Sequence, residues 1–179
     1  KELGRFDYSV KDCEQFHEAV KQEVVPLVKS IYEEKRKQLG VEQLRPWDLD
    51  AEKEGMHPLH PFTTGEDLIE KTILCFDRLG PFFGDCLRKM KSIQHFDLES
   101  RKGKAPGGYN CPLAESGAPF IFMNAAGQMH DVTTMVHEGG HAIHSFLAHP
   151  LELSGFKEYP MEIAEVASMS AELFSMDYW

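Results

Sequence analysis

The stretch His137-Glu138-Gly139-Gly140-His141 constrains this chain more than any other, because it dictates the structure around it. Two imidazoles four residues apart meet one metal ion when the segment is helical, since residues at i and i+4 share a face. The flanks agree with that demand. Asp131 to Val136 and Ala142 to Leu147 keep apolar residues near helical spacing, with no proline before Pro150. Gly139 and Gly140 each cost a helix about 1 kcal/mol relative to alanine, so a close approach is expected there, by a neighbouring strand or a substrate. Glu138 is placed to work on a water at the metal, and this pattern is what metal-assisted hydrolysis of a peptide bond requires.

A catalytic zinc needs three protein ligands, and the motif provides two. Beyond Pro150 and Gly155, the segment from Tyr159 to Phe174 reads as a new helix opened by Pro160. Its candidate carboxylates are Glu158, Glu162, Glu165 and Glu172. Glu165 and Glu172 share a face, and Glu162 joins them at a three-residue offset, so spacing nominates a face and not a residue. His144, one turn beyond His141, is an alternative third imidazole. An extended metzincin run would need glycine and histidine at the positions where this chain has His144 and Leu147. His144 is read as packed, His149 as an exposed loop residue, and His57, His60, His95 and His130 as ordinary histidines.

His-Glu-Gly-Gly-His-Ala-Ile-His-Ser from His137, followed by Ala164-Glu165-Val166-Ala167-Ser168, resembles the thimet oligopeptidase and oligoendopeptidase F family of zinc metallopeptidases. The resemblance implies that the glutamate of a Glu-x-x-Ser sequence is the third ligand, which falls on Glu165 with Ser168 beside it. Lys102-Gly103-Lys104-Ala105-Pro106-Gly107-Gly108-Tyr109 resembles the family's glycine-rich segment, and Pro119 to Asn124 the strand after it. The match runs from about Phe96 to the C-terminus. It implies a mainly α-helical fold with a small β-sheet beside the active-site cleft, and a zincin-like helix pair carrying the metal ligands. The edge of that sheet would pair with an extended oligopeptide, so Gly107, Gly108, Tyr109, Phe120, Phe122 and Asn124 are the expected substrate-binding positions.

The implied chemistry uses one zinc ion per chain, held by His137, His141 and Glu165, with Glu138 as general base and then general acid. Both imidazoles must stay neutral to bind metal, so activity is expected to fall in mild acid. Carboxylates usually orient such imidazoles through the nitrogen that does not touch the metal, a role open to Glu162 or Glu172.

Phe120 to Met123 is short and apolar, bounded by Ala118-Pro119 and Asn124, which suits a strand buried on both faces or lying at an edge. Gly107 and Gly108 form a mobile loop over the cleft or a turn. Upstream the chain reads as helices. Ser9 with Asp12 starts a long one through Phe16, Val20, Val24, Leu27 and Ile31, which Pro26 should kink or bend in register. The irregular stretch from Arg45 to Pro61 has room for a short strand. Thr64 with Asp67 caps a second helix to about Leu79, and Gly80-Pro81 separates a third to about Ile93.

The organisation expected is one partial catalytic domain over residues 1–179, with a helical part at 1–95 and the strand and metal-site helices at 96–179. The chain's 179 residues are 42% hydrophobic, enough for a substantial core. No apolar run approaches the roughly eighteen residues a membrane helix needs. Twenty-nine acidic against nineteen basic residues, a net charge of -10, argue against a nucleic-acid partner. Cys13, Cys75, Cys86 and Cys111 are scattered without Cys-x-x-Cys spacing, which makes a reducing, cytoplasmic setting the default. The family's oxyanion-stabilising tyrosine and histidine region has no counterpart before Trp179. A fragment that holds zinc without turnover is therefore the alternative to a zinc metalloendopeptidase, and a helical interaction module with a coincidental motif is a third class.

Overall fold

The structure is a computed structural model that describes residues 5–178. Its internal contacts divide the chain into two units, Lys1–Pro58 and Leu59–Trp179. The first unit holds α1 (Val10–Ala19) and α2 (Val25–Leu39), joined by a π-helical turn over Val20–Val24. Its start is the expected one: the Asp12 carboxylate accepts from the Ser9 backbone N–H and hydroxyl, each at 2.7 Å. The bend expected at Pro26 is realised as that π turn. Pro26 has no N–H to offer the carbonyl four residues back, and the ladder widens so that the Val25 N–H reaches the Val20 carbonyl. Gly40, at φ 67°, closes α2 in a left-handed cap. The short strand for which the 45–61 stretch had room does not form: a 3-10 turn at Pro46–Asp48 takes its place, with the Asp48 carboxylate holding the Arg45 N–H at 2.7 Å.

The second unit contains α3 (Gly65–Leu79), α4 (Pro81–Ser92), β1 (Phe96–Glu99), β2 (Tyr109–Cys111), β3 (Phe120–Ala125), α5 (Met129–Ala148), the single turn α6 (Ser154–Lys157) and α7 (Met161–Ser175). Helix α3 starts where its cap predicts, the Thr64 hydroxyl accepting from the Asp67 N–H at 3.1 Å. Among the described residues no helix is long and apolar enough to cross a membrane. The sheet order is β1-β3-β2, with β1 parallel and β2 antiparallel to β3. Strand β3 is thus the middle strand, which corrects both sequence-based alternatives for it. Its burial alternates, with Ile121, Met123 and Ala125 inward and Phe120, Phe122 and Asn124 half-buried, as a half-covered sheet requires. The pleat sends every second side chain out of the core, and pairing on both sides leaves β3 no free edge.

Helix α5 lies against the sheet and packs most extensively on α7, while α3 and α4 pack on each other and on α5. The core gathers Leu68, Phe76, Leu87, Met90, Ile121, Met123, Met135 and Val136, all essentially inaccessible to solvent. Phe76 joins α3 to the motif helix. Its ring lies where a side chain on Gly139 would have to go, 2.8 Å from the position of a built Cβ. Phe76→Ala is expected to destabilise the chain by about 3–5 kcal/mol in denaturant unfolding, since the rigid frame of α3 and α5 would leave the ring's volume empty.

Candidate metal centre

Helix α5 is twenty residues long and opens on Asp131, whose carboxylate accepts from the Ala126 and Gln128 N–H groups at 2.8 Å each. The motif lies near its middle. There α7 approaches so closely that a Cβ on Gly140 would sit 2.7 Å from the Ser168 Cα and 2.8 Å from the Ala171 Cβ. The close neighbours of the two glycines are therefore helices, α3 at Gly139 and α7 at Gly140, and not the strand or substrate expected from the sequence. This contact is what brings a carboxylate of α7 up to the imidazoles of α5.

Ligand-type atoms of His137, His141 and Glu165 all lie within 4.8 Å of one another. The His137 Nε2 is 3.3 Å from Glu165 Oε2, and the His141 Nε2 is 3.7 Å from Glu165 Oε1. Donors of a tetrahedral zinc site sit about 2.0–2.2 Å from the ion and so about 3.3–3.6 Å from each other; the His137 contact lies in that range, the 3.7 Å His141 contact lies just above it, and the 4.8 Å bound on the group is wider than a closed site needs. The two rings stand edge to face, centroids 4.8 Å apart, and present their Nε2 atoms to the same carboxylate. The remaining nitrogen of His137 is held from behind, its Nδ1 2.7 Å from Glu172 Oε1, a contact that fixes tautomer and ring orientation. The His141 ring lies near the Ala164 carbonyl.

Of the two glutamates considered for that role, Glu172 reaches His137, while Glu162 is exposed in the first turn of α7. Ser168 is fully buried, its hydroxyl 3.0 Å from the Glu165 carbonyl and 3.2 Å from Glu165 Oε2. His144 turns away from the cluster and stacks on Tyr159 with centroids 3.8 Å apart, so the three-imidazole alternative is not assembled.

Glu138 is buried beside the cluster. Burial raises its pKa above the ordinary 4.5, reinforced by Glu165 and opposed by His137 and by the backbone N–H of Asn110. Burial likewise lowers His141 below 6.5, with His137 adding to the effect, so the neutral imidazole is favoured. Gly108 lies directly over Glu138: a Cβ there would be 3.3 Å from Thr134 Cγ2 and 3.7 Å from Glu138 Oε1.

The other expected substrate positions have internal partners. Tyr109 stacks on Phe122 at 4.9 Å, Phe120 tilts against His95 at 6.0 Å, and the Asn124 amide donates to the Ala105 and Gly107 carbonyls. The free sheet edge near Glu138 belongs to β2. Lys104 and Asp97 were not singled out from sequence, although the four-residue interval between Asp97 and Arg101 hints at a local ion pair. The structure joins all three, with the Lys104 ammonium 3.0 Å from Asp97 Oδ1 and the Asp97 carboxyl held down to about 2 by Arg101 and Lys104.

The sequence profile of Peptidase family M3 matches residues 1–179. A protein described as Oligoendopeptidase F, chromosomal, from Lactococcus lactis subsp. cremoris is 25% identical over 148 residues, which is 83% of this chain and 24% of that protein. Oligopeptidase PepF of Bacillus subtilis (strain 168) is 31% identical over 104 residues, covering 56% of this chain and 15% of its own length. Among solved structures, PZ peptidase A with an inhibitor superposes at a TM-score of 0.92 with 31% identity, over 99% of this chain and 31% of that one. The chain thus spans about a quarter of the length of curated relatives such as the Lactococcus protein.

Two outcomes follow from this geometry. Gly140→Val is expected to force α5 and α7 apart, costing about 3 kcal/mol in denaturant unfolding, because the atoms it meets are α7 backbone and the Ala171 Cβ, which has no rotamer by which to yield. Glu138→Gln should stabilise the metal-free chain at pH 7. A carboxyl whose folded pKa is raised contributes fully below about pH 4.5 and loses that contribution as pH rises through the folded value. The stabilisation by glutamine should therefore shrink as unfolding is repeated from pH 7 down to pH 4.

Proposed function

The chain belongs to peptidase family M3, and from that premise we propose that it carries the zinc site of an endopeptidase that hydrolyses oligopeptides. The observation that carries this reading is the convergence of His137, His141 and Glu165 within 4.8 Å beside a buried Glu138. His137 and His141 would hold one zinc ion through Nε2 and Glu165 through its carboxylate. When bound, zinc supplies Lewis acidity that polarises a carbonyl and lowers the pKa of a water to about 7.

The chain's own groups do the rest. Glu138 accepts the proton of the attacking water and delivers it to the departing amine, and its partly desolvated carboxylate is a better base than an exposed one. Glu172 keeps the His137 imidazole facing the ion, and Ser168 steadies Glu165. A peptide extended along the open edge of β2, beside the Asn110 N–H that faces Glu138, would gain main-chain hydrogen bonds from the remaining backbone groups of that edge without much demand on its side chains. The printed names of the relatives, oligoendopeptidase and oligopeptidase, support short peptides as substrates. The four cysteines, all free, support a reducing compartment.

The test measures zinc per chain by elemental analysis and cleavage of a quenched fluorescent peptide in the same samples. The chain should bind one zinc and cleave. Glu165→Gln should lose most of the zinc, and Glu138→Gln should keep the zinc while cleavage falls at least about a hundredfold. Zinc without cleavage in the unaltered chain would favour a metal-binding segment lacking turnover. No zinc after reconstitution would overturn the proposal.

A further inference from the structure

The segment between β1 and β2, residues 100–108, has no regular structure, yet it is fastened at both ends. Near its start, Lys104 is buried, its side chain 1% exposed. Its ammonium donates to the Asp97 carbonyl at 2.9 Å, the Glu99 carbonyl at 2.9 Å and Asp97 Oδ1 at 3.0 Å, using all three protons on β1. The same ammonium lies 4.4 Å from the centroid of Phe122 on β3, and the Arg101 guanidinium donates to both oxygens of the Asp97 carboxylate, sharing Oδ1 with Lys104. Toward its end, the Asn124 amide donates to the Ala105 carbonyl at 2.8 Å and the Gly107 carbonyl at 2.9 Å. The stacked rings of Tyr109 and Phe122 fasten the residue that follows.

What lies beyond these fastenings is Glu138. Gly108 has no side chain where its Cβ would come 3.7 Å from Glu138 Oε1, and the Asn110 N–H faces the carboxylate. Asn110 lies opposite Ile121 of β3, whose N–H donates away from it to the His95 carbonyl at 3.1 Å, so at this pair the Asn110 N–H points out of the sheet, to the side where Glu138 lies.

We propose that Lys104 and Asn124 are positioning residues for Glu138: by fixing the 100–108 segment to β1 and β3, they hold Gly108 and the Asn110 N–H against one side of the carboxylate. The anchoring stands on the contacts above, and its catalytic consequence rests on the role proposed for Glu138. A carboxylate with one fixed donor keeps one orientation, and misplacing a reacting group by an ångström can cost about a hundredfold in rate.

The experiment uses the zinc-loaded chain and Asn124→Ala, an exchange at a half-buried site that removes the two loop hydrogen bonds and leaves the Lys104 network in place. Amide hydrogen exchange is followed residue by residue, with Glu138→Ala as the reference for an Asn110 N–H that has lost its partner. Exchange at Asn110 should quicken about tenfold in both variants, with the α5 amides unchanged. For cleavage, Asn124→Ala should lower kcat about ten- to a hundredfold with KM within about twofold, and Lys104→Met should repeat this where it folds. Zinc content should not change. Unaltered exchange at Asn110 in either variant would overturn the anchoring. An unchanged kcat, or a raised KM with kcat intact, would overturn the positioning role in favour of a merely structural or peptide-contacting loop. A chain that cleaves no peptide but shows the expected exchange would sink the peptidase reading and the catalytic consequence together, leaving the anchor standing.

Discussion

The distance between α5 and α7 at Gly140 governs everything the site can do. Helices normally pack with axes 8–10 Å apart, and side chains at the contact set the value. Here Gly140 meets Ser168 and Ala171, both small, and a single added carbon would strike the Ser168 backbone. The about 1 kcal/mol that a glycine costs the helix is the cost of that approach. In return the Glu165 carboxylate, set on α7, reaches two imidazoles set on α5, and Glu172, two turns on, reaches behind His137. Gly139 does the same service on the other side by admitting Phe76, which locks α5 to α3 and keeps the motif helix from rolling.

Burial then sets the protonation of the groups so gathered. Neutral imidazole is the form that binds metal, and desolvation of His141 favours it. Desolvation of Glu138 works in the other direction on charge, raising its affinity for a proton, which suits a group that must take one up and release it again. The contributions to folding have opposite signs with pH. That of His141 is complete above 6.5 and fades as pH falls, whereas that of Glu138 is complete below 4.5 and fades as pH rises. The free fold thus holds a carboxyl in an environment that resists its charge, a compromise expected where chemistry and stability compete for one residue.

The sheet is small because its task is small. Three strands place β2 with one open edge alongside the motif helix, and β3 holds it there through one antiparallel ladder while its other ladder ties it to β1. The fastening of residues 100–108 by Lys104 and Asn124 gives an irregular segment the fixity of a strand, through charged and amide donors aimed at backbone carbonyls.

Much of this was legible in the chain. The helical caps at Ser9 and Thr64, the motif helix and the helix after Pro160 all lie where local chemistry puts them, because capping, period and proline act within a few residues. The pair His137 and His141 follows from the helical repeat alone. Other features were illegible for a common reason: they depend on what lies across space. Spacing left Glu162 and Glu172 equal, and only the rotation of α7 against α5 gave His137 to Glu172. The apolar run at Phe120 cannot report how many strands flank it, so its place in the middle of the sheet emerged only with the fold. In the sequence Lys104 is one position of a glycine-rich segment, and its burial emerges only when β1 folds beneath it. The sequence by itself determined which residues could share a helix face and what chemistry they offer, since those are properties of neighbours along the chain. Tertiary structure decided which carboxylate meets which imidazole and which strand keeps an open edge, since those are set by packing distances between segments that the chain brings together only when folded.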